Sequence, residues 1–486
     1  MAVLVIDIGS SSLRTLLFDE QGRSISGSLA QRSYSLTTTP LGAATIDPAM
    51  LREFAELCID STLQHLEARQ IDAVGMATFV GNVLGVDEHN VPITPVYTYA
   101  DTRCSQQVDG LRQHHDVQAV LQRTGCPIHA AYHPARLMWL KETERELFDH
   151  VYEWMDIGTY LYRCWTGEMV CSYSIAAWSG LLNRQQLAWD VQWLDQLGVR
   201  VDQLPRLADY DQPIRGLTPT YQQRWSALRD VPFFLPIGDG AAANIGTGAI
   251  DNAHIGLTVG TTAALRLVTP PVDPVPDGLW CYRNHSTWQL IGGATSEGGN
   301  IFQWVASTFG LTPSDEVERH LAEAQPDSHG LTFLPLLAGE RSPGWAAQAR
   351  GSIIGLRLGT NALDILQAAL EGVALRLSLI LDQLAPLADP DSAIMAGGGA
   401  LEASPAWTQI LADAFNRRLL IVDTSESTAR GVSVLIWSAL KHASLTEYSL
   451  PSVREIAPNA ARAGALRLAR ERQVDLYKRL ITPKTE

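Results

Sequence analysis

The chain has 486 residues, more than one hydrophobic core ordinarily serves, and its 46% apolar and 18% charged residues exclude wholesale disorder. A formal net charge of −15 argues against nucleic acid or an anionic membrane surface as the main partner, since both select a basic face. Residues 1–8, MAVLVIDI, are too short and too acidic at their end for a signal peptide, and no run of about 18 apolar residues occurs.

Val3 to Ile6 is a continuous apolar run, as expected of a strand buried on both faces. It ends in Asp7-Ile8-Gly9-Ser10-Ser11-Ser12, and a second apolar run from Leu13 to Phe18 follows at once. Two strands joined by a Gly/Ser turn predict a hairpin whose tip carries hydroxyls and free N–H groups. A third strand is expected around 24–29. Helical spacing follows over 50–67, a short strand over 71–77, then helices over 134–148 and 158–165. The apolar run 233–237 ends in Gly238-Asp239-Gly240. A second hairpin comes next: 255–259, Gly260-Thr261-Thr262, then 263–268, each copy with an arginine in its second strand. Its recurrence about 250 residues after the first suggests a duplication. A helix is expected over 296–309, an extended segment over 331–337, a long helix over 362–385, a strand over 393–396 leading into Gly397-Gly398-Gly399, and a surface helix over 460–480. Alternating helix and strand predict an α/β fold of two domains, hinged near residues 248–254. The six cysteines, Cys58, Cys104, Cys126, Cys164, Cys171 and Cys281, form no CxxC and stand beside no His cluster. They read as reduced thiols of a cytoplasmic protein, without a zinc site.

Four short stretches have the residue types that phosphate and hydroxyl chemistry needs. At 7–12, Gly9 permits close backbone approach, and successive N–H groups and hydroxyls make an anion cradle. Asp7 is placed to hold magnesium through water, and Arg14 to reach a phosphate oxygen. Asp239, just past a strand, suits acceptance of a proton from an attacking hydroxyl. The triple glycine at 397–399 lets a flat ring or a phosphate lie on backbone. The fourth stretch, Gly339-Glu340-Arg341-Ser342-Pro343-Gly344-Trp345, reads as an ordered loop to which the residues alone assign no role. Each has a plainer alternative: a solvated turn, a helix N-cap, a loop, a structural ion pair. No GxxxxGK[ST] occurs and no GxGxxG opens the first unit, which excludes a P-loop and lowers a dinucleotide reading.

The order of these stretches resembles the FGGY carbohydrate kinase family, within the actin, hexokinase and heat-shock chaperone ATPase superfamily. The resemblance runs to about residue 440 and is carried by DIGSSSLRTLLFD (7–19), YADTR (99–103), GDGAAANIGTGA (238–249), VGTTA (259–263), FLPLLAGERSPGW (333–345), ARGSIIGL (349–356) and GGGALEASPAWTQ (397–409). It implies two actin-like, ribonuclease H-like ATPase domains with a cleft between them. Residues 1–248 would bind the sugar and carry the first phosphate loop and the catalytic Asp. Residues 254–440 would bind the nucleotide, and 441–486 would be a helical extension. It implies ATP and Mg²⁺ as cofactors, and relatives that are often homodimers.

By position, the resemblance makes Asp239 the catalytic base, and puts Asp7 and Asp239 near magnesium, through water. Gly9, Ser10, Ser11, Ser12 and Arg14 match the first phosphate loop, and Gly260, Thr261 and Thr262 the second. Gly299 and Gln303 match the lining of the nucleotide site, Gly398 and Gly399 the adenosine turn. Thr78, Phe79, Asp101, Arg103, His129, Asp239 and Gly240 are the implied sugar contacts. Ala403 stands where some relatives have an adenine-contacting Asn, Tyr99 where a Trp is usual, and Arg136 where Lys is frequent. The 77–82 loop lacks the Gln-Arg-Glu of glycerol kinases and the Gln-Met-His of xylulokinases. The segments 124–129 and 296–304 look like those of gluconate kinases in the family. A gluconate pocket needs donors for a carboxylate, with Arg103, His129 and Arg136 as candidates. His129 as a loop cap and Arg103 as the partner of Asp101 are the structural alternatives. Xylulose, another pentulose or a polyol remain the alternative substrates. A catalytically silent sugar sensor, and an actin-like filament or chaperone ATPase, are the alternatives of another class.

Overall fold

The computed structural model describes residues 1–64, 70–423, 426–448 and 453–481. Val3, Leu4, Val5 and Ile6 have no exposed surface. Their strand, Ala2–Ile8, is the middle of a five-stranded sheet ordered Ile237–Gly238, Ile71–Thr78, Ala2–Ile8, Ser12–Phe18, Ala30–Ser33. It pairs antiparallel with Ser12–Phe18 and parallel with Ile71–Thr78. The third strand lies later than the 24–29 expected. There Gly27 has φ of 79° and the Ser28 hydroxyl donates to Ile25 O, so a turn forms and only one bridge, Phe18 to Ser24, remains.

The second sheet has seven strands, ordered Trp280–Arg283, Gln289–Thr295, Ala263–Thr269, His254–Val259, Ala393–Gly397, Leu419–Val422, Val453–Ile456. Its inner five repeat the order and direction of the first sheet: an antiparallel hairpin, an antiparallel third strand, then two parallel strands. The duplication read from two Gly-hydroxyl turns therefore extends to whole sheets.

The halves exchange helices. Ser427–Lys441, which follows a strand of the second sheet, packs on the first, where Val432 and Ile436 fill the space over Gly75. Asp239–Gly246, which follows a strand of the first sheet, puts Asn244 against Gly256 of the second. The two helices cross with backbones in contact. A Cβ on Gly246 would come to 1.8 Å from Ser427 O, and one on Gly431 to 1.8 Å from Ala242 O.

The second seam is aromatic and polar. Trp178 stacks on Tyr282 at 3.7 Å between centroids, and the Tyr132 and Tyr282 hydroxyls are 2.6 Å apart. The Cys281 amide donates to Gly125 O at 2.8 Å, and Arg184 Nη1 to Val272 O at 2.8 Å. Strand Trp280–Arg283 thus lies against the 122–184 region of the first half.

Other elements follow the sequence pattern with shifted ends. The helix expected over 50–67 runs Pro48–Gln64, and its expected end lies outside the described residues. That expected over 134–148 breaks at Glu144 into His133–Thr143 and Arg145–His150. The helix expected over 296–309 starts at Gly299, and the long helix is Ala362–Leu384, capped by Asn361. Extended structure within 331–337 is limited to Thr332–Leu334, which ends before Pro335. The helix Ala460–Leu480 buries Leu466, Ala469 and Gln473, and Gln473 Nε2 donates to Phe333 O and Gly372 O. Residues 449–452 and 482–486 of the expected extension lie outside the described residues. All six cysteines are unpaired. Among the described residues no helix is long and apolar enough to cross a membrane.

Candidate active site

Three parallel strands of the first sheet end side by side, Ile8 level with Thr78 and Thr78 level with Gly238. Strands are spaced about 4.8 Å apart, so Asp7 and Asp239 leave their strands roughly 10 Å from each other. Asp7 is buried and Asp239 half-buried, and each carboxylate is partly satisfied. Arg14 Nε donates to Asp7 Oδ2 at 2.9 Å, while Oδ1 has no partner among the described residues. Burial pushes the Asp7 carboxyl above its ordinary pKa, and Arg14 opposes the shift. Asp239 Oδ1 accepts the Gly240 amide at 2.7 Å, which leaves Oδ2 without a described partner.

Asp239 is the first residue of its helix. The N-cap is Gly238, so the capping alternative does not describe this aspartate. Burial raises its pKa to about 6; the Gly240 amide lowers it, the Asp7 charge raises it, and Arg266 lowers it. Arg266 comes from the second strand of the second hairpin. Its Nε lies 3.6 Å from where a Gly240 Cβ would sit, and Nη1 donates to Thr258 Oγ1 at 3.2 Å. Burial brings the Arg266 guanidinium down to about 10, with Asp239 acting against it. Besides Arg266 Nε, two buried polar atoms near this aspartate lack protein partners among the described residues. Thr78 Oγ1 is on the strand beside Gly238, and Trp178 Nε1 lies 3.0 Å from the Gly238 Cβ position. Buried polar atoms without partners need a ligand or water to satisfy them.

The hairpin turns close alike. The Gly9 amide donates to Ser12 O and the Gly260 amide to Thr262 O, each at 2.9 Å. Ser11, Thr261 and Thr262 are exposed, and Ser10 and Ser12 are half-buried. Arg14 of the first turn pairs with Asp7. Its Nη1 also lies 3.0 Å from Glu426 Oε2, so the guanidinium pairs with two carboxylates. Tyr34 donates to Gly9 O and fixes the turn from beneath.

Below the second hairpin is a cavity of about 780 Å³, lined by Gly260, Thr261, Gly299, Gln303, Gly399 and Ala403 among others. That volume suits a nucleotide-sized ligand. Phe302, Pro405 and Trp407 supply apolar wall, and Glu318 fixes the far side by accepting Ser404 Oγ at 2.8 Å and the Ala406 amide at 2.6 Å. Gly398 has φ of 112°, and a Cβ there would lie 2.4 Å from Val259 O. Only glycine lets the 397–399 turn approach the hairpin this closely.

The expected sugar contacts divide. Thr78, Phe79, Asp239 and Gly240 gather at the strand ends, where the Phe79 amide donates to Ile8 O. Arg103 forms a two-pronged pair with Asp101, Nη2 to Oδ2 at 2.6 Å and Nε to Oδ1 at 3.0 Å, and lies 4.3 Å over the Trp139 ring. Arg136 is buried and spends its terminal nitrogens on the carbonyls of Gly81, Thr98 and Ala130, which pins three loops together. His129 Nδ1 accepts the Ala131 amide at 3.1 Å and its ring packs on Trp345 at 5.7 Å. Burial, then Arg341, Arg112 and Arg136, bring the His129 pKa to about 3, so the ring is neutral. The residues missed from sequence are Arg266, Trp178, Glu426 and Arg341. The recurring arginine of each hairpin was the one visible sign of Arg266. The other three reach the site from distant segments.

Comparison with known proteins agrees with this geometry. Residues 2–246 match the N-terminal domain model of the FGGY family of carbohydrate kinases, and residues 225–440 its C-terminal domain model. The chain belongs to that family and has its two-domain, actin-like fold. Gluconokinase of Bacillus subtilis is 28% identical over 89% of this chain and 86% of its own length. Xylulose kinase of Escherichia coli is 26% identical over 98% of both. Two solved structures from Lactobacillus acidophilus, a gluconate kinase and a ligand-bound xylulose kinase, each superpose with a TM-score of 0.92 over 99% of this chain. They cover 99% and 98% of their own chains and are 27% and 28% identical to it.

Proposed function

We propose that this carbohydrate kinase transfers the γ-phosphoryl group of ATP to a hydroxyl of a small sugar acid, converting gluconate to 6-phosphogluconate. The observation that carries the transfer is Asp239: a half-buried carboxylate with one oxygen unused, a pKa near 6, and an arginine from the opposite half beside it. A base with that pKa is ionised at neutral pH and still accepts a proton readily. Thr78 Oγ1 and Trp178 Nε1 offer partners to sugar hydroxyls near that carboxylate. The large cavity takes the adenosine end, and the Ser and Thr hydroxyls of both turns, with their amides, take phosphate oxygens. Arg266 meets charge on the transferring group.

The residues also fit magnesium, because Asp7 and Asp239 each keep one carboxylate oxygen without a described protein partner. Water-bridged binding by such carboxylates is usual, and the ion would neutralise phosphate charge there.

The sugar-acid assignment draws on the gluconokinase relatives and on the excess of positive charge around His129. A coupled ADP-release assay with Mg-ATP tests it, using gluconate, xylulose, ribulose, glycerol and erythritol. Turnover on gluconate above the others is expected. Turnover confined to a neutral ketose would replace the sugar-acid reading with the second one, a pentulose kinase, which the equally similar xylulose kinase structure favours.

A further inference from the structure

Most arginines around the cleft are already committed. Arg14 pairs with Asp7 and Glu426, Arg103 with Asp101, and Arg136 with three carbonyls. The Arg341 side chain has no hydrogen-bond or ion-pair partner among the described residues, although the residue is half-buried. Holding an unpaired cation there is costly unless a ligand completes it.

The loop that presents Arg341 is fixed on both sides. Adjacent Glu340 faces away, its carboxylate held by Arg376 and by the Tyr477 hydroxyl of the C-terminal helix. The Ser342 amide donates to Ala294 O at 2.9 Å, the Glu340 amide to Ala346 O at 3.0 Å, and Trp345 Nε1 to Gly278 O at 2.9 Å. Trp345 then meets the His129 ring edge-on across the seam between the halves. Because His129 Nδ1 accepts an amide, the proton of the neutral ring is on Nε2, which has no described partner. The charge of Arg341 acts on His129, Tyr132 and Tyr282 on one side and on Arg266 on the other. Ser342, the next residue, packs on Gly293, whose neighbour Gly292 pairs with Arg266 in the ladder, and Trp345 meets His129, so the loop that bears Arg341 lies between the strand of Arg266 and the histidine.

We infer that Arg341 recognises the carboxylate of the sugar acid, with the His129 Nε2–H as a second donor, so that acid specificity comes from the nucleotide-binding half. This rests on the sugar-acid reading above. Arg266 is the arginine beside Asp239 and suffices for the transferring group. An extended six-carbon acid places its carboxylate carbon roughly 7.5 Å from the terminal hydroxyl oxygen, at about 1.25 Å of advance per bond, which calls for a second, separate cation. A guanidinium matches a carboxylate with two parallel hydrogen bonds.

The test is steady-state kinetics of the full chain as wild type, Arg341→Ala and Arg341→Lys, with gluconate and ATP varied in turn. Arg341→Ala should raise KM for gluconate by about 100-fold while KM for ATP stays within about twofold, as expected when one charge-assisted pair to a single ligand is lost. Arg341→Lys, which keeps the charge and much of the bulk, should recover part of that loss and guards against a fold defect in the alanine variant. A fall in kcat with gluconate KM unchanged, or equal rises in both KM values, would overturn the assignment and move Arg341 to the phosphoryl group. Wild type inactive on every sugar acid but active on xylulose would instead overturn the sugar-acid reading, and the inference with it.

Discussion

The two hairpins are the same fold unit with opposite chemistry. In the first, Asp7 stands directly across the ladder from Arg14, and the two neutralise each other locally. In the second, Thr258 takes the position of Asp7, and Arg266 reaches past it to the aspartate of the other half. Both site carboxylates, Asp7 and Asp239, are thus on the first half, and the arginines without a local acid, Arg266 and Arg341, are on the second. On the function proposed above, a duplicated scaffold would become a transfer site by dividing base and anion recognition between its copies, so that neither half holds the whole site.

The largest expected effect breaks the first half of this division. Asp239→Asn should lower kcat by roughly 10²–10⁴-fold, the usual scale for loss of a general base, and leave ATP binding by calorimetry nearly unchanged. A near-normal kcat would remove Asp239 from that role. The next prediction perturbs the pairing across the cleft. Since the active form of Asp239 is the carboxylate, kcat/KM should fall as pH drops below about 6. The Arg266 charge favours that carboxylate, so Arg266→Leu should move the acid limb to higher pH. The Asp7 charge disfavours it, so Asp7→Asn should move the limb to lower pH. Shifts of the same sign in both variants would contradict the electrostatic assignment. The smallest effect on chemistry, though not on folding, tests how the halves are joined. Gly431→Ala inserts a methyl against Ala242 O and should cost about 3 kcal/mol in thermal or urea unfolding, at the upper end for overpacking. Folded protein should keep its KM values.

The sequence showed the repeated strand–turn–strand unit, the carboxylate after each early strand and the glycine turns, because these are local patterns of period and composition. Asp239 and the two hydroxyl turns were legible for that reason. The segment YADTR was legible as a motif, but the motif did not show that Arg103 spends its charge on Asp101. Of the gluconate donors expected from sequence, Arg103, His129 and Arg136, the two arginines bond to protein partners. Arg341, whose side chain has no partner among the described residues, lies in a loop for which the residues alone suggested only an ion pair.

The sequence by itself determined the α/β alternation, the duplication and the family, since apolar period, turn glycines and motif order are properties of the chain read in one dimension. Only the tertiary structure decided which arginines have partners, which helix packs on which sheet, and that Asp239 faces an arginine from the other half. Charge pairing and burial depend on distances between segments far apart in the chain. Arg266, Arg341 and Glu426 acquire their roles only when the two sheets face each other.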